Sequence, residues 1–288
     1  MNIKSGILLH VLNGPGSHRW HPPPTGNHAF PPVLAPHIDG AKMTLLIVMA
    51  LLANPFAGGS PLPPGDMEFA EGRYPAAIAA YDSTLRATAD SAKIFWRYAR
   101  VHICQGDVAE KDQREGLYRL AVEEARISVR LDSSQGEGHT WLAASLGSIA
   151  MYEGSKSKVQ LCTEIKDQLE KAIAINPRDD VAYSILGTFY MNLGNVSWIE
   201  RQLARMFLGR LPDGGYDEAE AALLKAIALA PDVIRHHYEL ATLYRLRDRT
   251  AEARVEYEKT VSLQPVLASD PRRQKNAQHW LETMEKED

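Results

Sequence analysis

The sequence has few cysteines, a small net charge and no obvious catalytic motif, and each absence excludes a class of protein. Cys104 and Cys162 lie far apart among 288 residues, without a CxxC pair. They predict buried free thiols rather than a disulfide framework or a cysteine-based metal site. A net charge of -4 with no long basic run excludes general attraction to nucleic acid, so we expect no nucleic-acid partner.

The residues that enzymes use are not grouped into known motifs. There is no HExxH, no GxSxG and no glycine-rich phosphate loop after a strand. His236 and His237 are adjacent, so on a helix they point to different sides and cannot share a metal ion. We therefore predict a protein that is not an enzyme and that needs no metal or cofactor.

Residues 1–42 differ in composition from the rest of the chain. They hold seven of the 17 prolines and five of the ten histidines, namely His10, His18, His21, His28 and His37. Such a segment buries too little apolar surface to offset its ordering entropy, so we predict a disordered extension. The irregular histidine spacing does not predict a metal site. The alternative is that translation starts at Met43 and that this segment is a mis-assigned start.

Residues 43–65 contain a short apolar segment and a linker. Residues 44–53 are apolar and small residues follow, which resembles an export signal, although Lys42 would precede a start at Met43. The apolar stretch is too short to span a bilayer comfortably. We expect export to the periplasm or membrane association if translation starts at Met43, and a cytoplasmic protein otherwise. A Pro/Gly-rich linker then leads to Asp66, which is placed to cap the next helix.

Residues 66–288 are predicted to form a helical repeat domain. No proline occurs between Pro75 and Pro177, and strand-like alternation is absent. The phrases EAEAALLKAIALAP and EARVEYEKTVSLQP end at Pro231 and Pro265, 34 residues apart. This period is typical of tetratricopeptide repeats. Their first-helix pattern is also present, as Tyr183, Leu186, Gly187 and Tyr190.

These features predict an all-α fold, a right-handed α-solenoid of tetratricopeptide-like helix hairpins with elongated intra-repeat loops. A half-repeat with Ala77 and Tyr81 comes first, followed by about four helix pairs and a C-terminal capping helix from Asp270. The distance from Pro177 to Pro231 exceeds the repeat period, so an insertion lies within that hairpin.

The inserted segment SWIERQLARMFLGRL is amphipathic when it is drawn as a helix. One face carries Ile199, Leu203, Met206 and Phe207, and another carries Trp198, Arg201 and Arg205. One interpretation is that the apolar face packs on the solenoid and the arginines are solvated. The other is that Trp198, Arg201 and Arg205 contact an anionic ligand or a membrane surface.

Several segments also resemble a known family. They are FWRYAR, HTWLAASLG, YEGSKSKVQ, IKDQLEKAIAINPRD and the long segment that contains the insertion, and their order matches too. Over roughly residues 68–265 the chain resembles the regulator of microtubule dynamics family, as a bacterial-looking member. The resemblance implies an α-solenoid that acts by binding. Some animal members are membrane-anchored, contact other organelle proteins and bind phospholipid in the solenoid. In a bacterial-looking member the family name does not predict a role with microtubules.

The concave groove of the solenoid is the predicted binding site. Positions 2, 5, 9 and 12 of each first helix are expected to line it. These positions, with two arginines of the WRYAR helix, give Arg97, Arg100, Val181, Ser184, Thr188, Met191, Arg235, Tyr238, Thr242 and Arg245. A groove with a basic end and an apolar middle suits an acidic or amphipathic ligand.

Two functions fit this groove. The first is a scaffold that binds a segment of a partner protein or a peptide. The alternative is a lipid-binding or lipid-transfer module at a membrane surface, which holds an anionic phospholipid. The second predicts an enclosed apolar cavity that Trp198, Met191 or Phe207 can reach.

Overall fold

The structure is a computed structural model that describes residues 64–87 and 90–287. The disordered extension predicted for residues 1–42 and most of the signal-like segment and linker lie outside the described residues. All regular secondary structure in the described ranges is helical. The helices are α1 Asp66–Ala70, α2 Tyr74–Ala87, α3 Ser91–Val108, α4 Lys111–Leu131, α5 Gly136–Glu153, α6 Ser155–Ile175, α7 Asp180–Gly194, α8 Trp198–Phe207, α9 Tyr216–Leu229, α10 Ile234–Leu246, α11 Thr250–Ser262 and α12 Asp270–Glu287.

The helices pack in antiparallel hairpins stacked along the chain. α3 pairs with α4, α5 with α6, α7 with α9, and α10 with α11. α1 and α2 precede these pairs, and α12 covers α11 and α10. The predicted α-solenoid, with its leading half-repeat, four helix pairs and cap, is confirmed. None of the helices in the described ranges is both long and apolar enough to cross a membrane.

Small residues let the paired helices approach closely. Ala77, Ala219 and Ala253 are fully buried, and a Cβ added at Gly187 would lie 2.5 Å from Leu223 on the partner helix. At this separation the two helix surfaces interlock, as dense packing requires. The first-helix glycine of the repeat pattern is therefore explained by contact with α9.

The elongated intra-repeat loops predicted from the sequence are largely helical in the structure. α4 begins at Lys111 and α6 begins at Ser155, directly after Gly154. The segments KDQREG and SKSKVQLCTE contain no proline and many good helix formers, so the helices extend through them. The connection from α7 to α9 is long, and it contains α8.

Asp66 does not cap α1, contrary to the expectation from sequence. Gly65 occupies the N-cap position with a positive φ of 95°. A Cβ at Gly65 would lie 2.4 Å from the ring of Tyr81, so a side chain there would collide with α2. The carboxylate of Asp66 instead accepts a hydrogen bond from the Tyr81 hydroxyl at 2.7 Å.

The two ends of the solenoid touch each other. The amide of Ala268 donates to the carbonyl of Ala70 at 2.9 Å, and Leu267 packs against the apolar cluster of α1, α2 and α3. The approach is close, since a Cβ at Gly72 would lie 2.7 Å from that of Ala268. Asp270 fixes the returning segment, because its carboxylate accepts from the Leu267 amide at 2.8 Å. The repeats from α1 to α12 therefore curve until the last segment meets the first.

Candidate functional site: the inner surface of the solenoid

The side of α3, α7 and α10 that carries the predicted groove residues is here called the inner surface. Opposite ends of the array approach one another across it. Burial is the largest cause that lowers the pKa of Arg235 in α10, and the charges of Arg273 in α12 and Asp107 in α3 also act on it. This proximity follows from the contact between the two ends. Charges from the first and last repeats therefore act on one another at the inner surface.

Arg97 and Arg100 are largely buried, and both are paired with the half-repeat. Arg97 donates from Nε and from Nη2 to the carboxylate of Asp66, each at 3.2 Å, and from Nη1 to the carbonyl of Lys93 at 2.8 Å. Arg100 also binds Asp66, and it donates to the Tyr81 hydroxyl at 2.9 Å. These two predicted groove residues thus bind a carboxylate of the same chain. Asp66 was predicted only as a helix cap, and it lies more than thirty positions away from both arginines.

Asp66 stays ionised in this setting. Burial alone would raise its pKa, but the Arg100 charge and the hydrogen bonds from Arg97 and Tyr81 outweigh burial. The net result is a pKa below the ordinary value of an aspartate. The same carboxylate contributes, after burial, to raising the pKa of Tyr81. The cluster therefore holds one negative and two positive charges at neutral pH.

Two tryptophans complete this part of the inner surface. The rings of Trp96 in α3 and Trp141 in α5 are stacked, with centroids 6.4 Å apart and planes within 6° of parallel. The Arg97 guanidinium lies 4.2 Å from the Trp96 ring, and that of Arg100 lies 3.8 Å from the Phe69 ring. Cation–π contacts of this kind fix the arginines in place. Trp96 and Trp141 were not among the predicted site residues, although Trp96 directly precedes Arg97 in the sequence.

The predicted groove residues of α7 are mostly enclosed. Ser184 is fully buried, Met191 is 7% exposed within the apolar core, and Thr188 is half-buried with its hydroxyl donating to the Ser184 carbonyl at 3.0 Å. Val181 is half-buried. Met191 thus packs between helices and lines no described cavity. This part of the inner surface offers a ligand mainly Val181 and Thr188.

The predicted residues of α10 are half-buried and lie close to the cap. The Thr242 hydroxyl donates to the Tyr238 carbonyl at 2.8 Å, and the Arg245 guanidinium stacks 4.0 Å from the ring of Trp280 in α12. Arg235 has no hydrogen bond or ion pair with any described residue. Burial lowers the pKa of Arg235, and the charge of Glu239 opposes that shift. Arg235 is therefore a desolvated cation that lacks a bound anion.

Buried polar atoms without hydrogen-bond partners are concentrated on these helices. Within the described ranges, three belong to predicted site residues, namely Arg100 Nε, Ser184 Oγ and Arg245 Nε. The neighbouring Trp96 Nε1 is a fourth. All four can donate hydrogen bonds. Burying an unsatisfied donor costs about 1–3 kcal/mol, so each of these four atoms lowers the stability of the folded protein.

The insertion helix α8 is oriented opposite to the first interpretation of its sequence. Ile199 is 64% exposed, Leu203 42%, Met206 72% and Phe207 70%, so the expectation that this face packs on the solenoid is wrong. The packed side carries Ala204 and Arg201. Arg201 donates to the carbonyl of Leu193 at the end of α7 and to that of Gly214 in the loop before α9.

The remaining members of the predicted insertion contact are placed differently from one another. Arg205 is exposed. Arg201 is half-buried and serves to hold α8 in place. The side chain of Trp198 lies outside the described part of the structure. The three residues therefore do not form one described contact surface.

The adjacent histidines of α10 contact separate carboxylates, and the two cysteines form no disulfide with each other. His236 contacts Asp180 at 2.8 Å, and His237 contacts Glu256 at 2.6 Å, so each imidazole has its own carboxylate. Cys104 and Cys162 are free thiols, as predicted. Burial raises the pKa of Cys104 to about 11, which keeps this thiol protonated. In the ranges that the structure covers, no group of three or more His, Cys, Asp or Glu residues could hold a metal ion.

The family model described as "Regulator of microtubule dynamics protein 1-3" matches residues 66–285, which include α1 to α11 and all but the last two residues of α12. The chain belongs to the regulator of microtubule dynamics family. The matched range contains the inner surface and α8. Both are thus features of the domain that relates this chain to the regulator of microtubule dynamics family.

Relatives in this family are distant. Regulator of microtubule dynamics protein 1 of Bos taurus is 27% identical over 145 residues, which cover 50% of this chain and 46% of that protein. Regulator of microtubule dynamics protein 3 of Xenopus laevis is 29% identical over 143 residues, covering 49% of this chain and 31% of that protein. The chain thus spans about half or less of the length of these two relatives.

A solved structure supports the assignment of the fold. A thermophilic tetratricopeptide-repeat protein of Thermus thermophilus superposes with a TM-score of 0.56 at 24% identity, covering 75% of this chain and 95% of that one. The superposition shows that the two proteins share the tetratricopeptide-like fold.

Proposed function

We propose that the inner surface binds an extended, acidic segment of a partner protein, and that the protein acts as a non-catalytic scaffold. The observation that carries this proposal is the pair of arginines Arg100 and Arg245, whose Nε donors have no hydrogen-bond partner in the protein. Arg235 adds a half-buried cation whose acidic neighbour is Glu239, one turn further along α10. Asp and Glu side chains and backbone carbonyls supply the acceptors that such donors require.

The distribution of the donors supports a long ligand. The arginine donors lie on α3 and α10, which belong to different repeats. A small anion would satisfy the donors of one helix, whereas an extended peptide can contact successive first helices along the array. Aromatic side chains between the donors, such as Trp141 and half-buried Tyr238, offer apolar contact to the side chains of the same peptide.

The contribution of each predicted residue differs. All three guanidinium nitrogens of Arg97 are used within the chain, so it contributes positive potential and no direct contact. Arg100 keeps Nε free, and Arg245 does likewise. Arg235 and Arg245 form no ion pair with a described residue, so they provide the sites for a carboxylate.

The lipid alternative has less support. It expects an enclosed apolar cavity that Trp198, Met191 or Phe207 can reach, yet Met191 packs in the core and Phe207 is 70% exposed on α8. A phospholipid in the solenoid is therefore kept as an outcome of the experiment and not as a second function.

A displayed library of random peptides, selected on the purified full chain, tests the proposal. We expect enrichment of sequences rich in Asp and Glu. Replacing Arg235 and Arg245 together with alanine should weaken a selected peptide at least about tenfold, since each charge-assisted hydrogen bond contributes roughly 1.5–3 kcal/mol. Lys225→Ala with Lys259→Ala is the matched control, because it removes two charges from exposed sites on α9 and α11.

Three results would contradict the proposal. One is a selection without preference for acidic residues. Another is equal loss of binding in the arginine variant and the lysine control, which would show a general charge effect. The third is a phospholipid bound in stoichiometric amount in the native mass spectrum of the full chain, which would favour the lipid module.

A further inference from the structure

Helices α2 and α3 by themselves build a pocket for a carboxylate. Its donors are the Tyr81 hydroxyl of α2 and the guanidinium groups of Arg97 and Arg100 of α3. Arg97 donates from Nε to one oxygen and from Nη2 to the other, each at 3.2 Å, which is the parallel geometry that fits a single carboxylate. Asp66 of α1 fills this pocket and supplies none of its donors. Helix α1 therefore relates to the pocket as a ligand relates to a binding site.

An apolar site for an aromatic ring lies beside the carboxylate pocket. Phe69 follows Asp66 by three residues, so both side chains lie on one face of α1. Phe69 packs in a cluster whose other buried members all belong to α2 and α3, namely Ala77, Tyr81, Ile94, Tyr98 and Val101. The Arg100 guanidinium lies 3.8 Å from the Phe69 ring and also binds the Asp66 carboxylate. Together the two sites recognise a carboxylate that is followed three residues later by an aromatic ring.

The attachment of α1 depends mainly on these two side chains. The helix has five residues, whereas an isolated helix needs about 12–15 residues to be even marginally stable in water. Met67 is exposed, and Glu68 forms only a long surface ion pair with Arg73, at 3.7 Å. Such pairs contribute little to stability. Because α1 also lies at one end of the array, it is placed to detach while the repeats stay folded.

Detachment of α1 leaves two largely buried arginines, Arg97 and Arg100, without their carboxylate. A buried charge that loses its partner strongly destabilises a protein. Helix α1 therefore leaves the pocket most readily when another carboxylate takes the position of Asp66. This exchange selects an acidic segment and excludes neutral or basic ones.

We infer that α1 is an intramolecular ligand, and that the partner segment displaces it with a carboxylate three residues before an aromatic ring. The inference rests on the proposed function for the acidic partner and extends its binding site. While α1 is bound, the segment reaches the arginines of α10; after exchange it also binds Arg97 and Arg100. The carbonyl of Ala70 accepts from the Ala268 amide, so displacement of α1 also opens the contact between the two ends.

A synthetic peptide of residues 64–73, blocked at both ends and labelled with a fluorophore, tests the inference by anisotropy on the full chain. In wild type the attached α1 competes at a local concentration of about millimolar. Asp66→Asn in the chain weakens this competitor, so the peptide should bind the variant at least about tenfold more tightly than wild type. Glu68→Gln changes another carboxylate of α1, one that pairs with Arg73, and this variant should bind the peptide as wild type does.

Two altered peptides test the motif itself. The peptide with Asp66→Asn and the peptide with Phe69→Ala should each bind the Asp66→Asn chain at least about tenfold more weakly than the unaltered peptide, since each lacks half of the motif. Equal affinity of the three peptides would overturn the inference. Equal affinity of the unaltered peptide for wild type and for the Asp66→Asn chain would do so too.

Amide exchange in wild type provides a measurement that needs no folded variant. Unaltered peptide at several millimolar should accelerate exchange of the Ala268 amide, because that amide loses its acceptor when α1 is displaced. The peptide with Asp66→Asn should leave this exchange rate unchanged. An Ala268 amide that exchanges at the same rate with and without the unaltered peptide would contradict the displacement of α1.

Failure of this inference can be distinguished from failure of the proposed function. The synthetic peptide tests the pocket of α2 and α3, whereas the random library tests Arg235 and Arg245. Acidic library peptides that bind while the synthetic peptide does not would overturn only the inference about α1. A synthetic peptide that displaces α1, with a library that shows no acidic preference, would support the intramolecular ligand and overturn the proposed partner.

Discussion

Replacing Asp66 with asparagine removes a negative charge that Arg97 and Arg100 share. The side chains of Asp66, Arg97 and Arg100 are only 11%, 10% and 15% exposed, so water screens their interaction weakly. Asparagine has nearly the same shape and keeps an acceptor for the Tyr81 hydroxyl. The variant therefore tests the charge and leaves the packing of α1 unchanged.

The expected loss of stability is about 3 kcal/mol, the lower end for removing one partner of a buried pair, because the acceptor remains. For a domain of this size, that loss lowers the melting temperature by roughly 6–12 °C. Repeat arrays also open locally, and the contact lies at the end of the array. Amide exchange of α1 and α2 should therefore increase more than exchange of α10 and α11.

The pH dependence gives a second, independent test. The pKa of Asp66 is lower in the folded protein than the roughly 3.9 of an unfolded aspartate. Its contribution to stability is therefore complete above about pH 5 and is lost as the pH falls through the folded pKa. The difference in melting temperature between wild type and Asp66→Asn should be largest at neutral pH and should shrink toward about pH 3.

Asp217→Asn is the matched control. Asp217 contacts Arg247 at 3.0 Å, but its side chain is 86% exposed, and Arg247 keeps Glu220 as a partner. Surface pairs contribute about 0–1 kcal/mol, so this variant should melt within about 4 °C of wild type. The reasoning fails if both variants behave alike, or if the effect of Asp66→Asn is the same at acidic and neutral pH.

Two further substitutions test the closure and the unpaired hydroxyl. Gly72→Ala places a methyl group 2.7 Å from the Cβ of Ala268 at a φ of 75°, so the free energy of unfolding should fall by about 2 kcal/mol and the Ala268 amide should exchange faster. Gly116→Ala on α4 has open space around it and should be neutral or stabilising. Equal effects of the two substitutions would refute the close contact. Ser184→Ala removes a fully buried hydroxyl that has no hydrogen-bond partner, so the free energy of unfolding of the ligand-free protein, measured by thermal unfolding, should rise by about 1 kcal/mol. A loss of stability would show that the hydroxyl is hydrogen-bonded.

Local spacing in the sequence was enough to predict the repeats. Ala77 and Tyr81 in α2, and Ala253 and Tyr257 in α11, have the same spacing, and all four are fully buried. A small residue followed one turn later by an aromatic ring identifies a helix that packs in a hairpin. This information lies within four residues, so it can be read without knowing the rest of the fold.

The partners of Arg97 and Arg100 could not be predicted in this way. Asp66 lies more than thirty positions from both, and its position at the start of α1 suggested a helix cap. The cap expectation was wrong because Gly65 occupies that position against the Tyr81 ring. Which carboxylate meets which arginine depends on how the half-repeat stacks on α3, and that is a property of the assembled array.

The orientation of α8 shows a different limit. Its amphipathic pattern is clear from sequence, but the pattern does not state which side faces the protein. The orientation of α8 depends on whether Arg201 has hydrogen-bond acceptors within reach on the protein. These acceptors are the carbonyls of Leu193 and Gly214. Backbone carbonyls carry no sequence signal. The groove residues of the inner surface remain predictions for the same reason, since their function depends on a ligand.

The contact of Ala268 with Ala70 also restricts how this protein can change in evolution. Open solenoids lengthen by duplicating a hairpin, because each added repeat needs only its neighbours. In this chain an added or deleted hairpin would carry the segment around Ala268 past the position where it meets α1 and α2. The number of hairpins is thus set by closure, and new length is better tolerated as an insertion that points outward. Helix α8 is such an insertion: it lengthens one repeat and leaves the count of repeats, and hence the meeting of the two ends, unchanged.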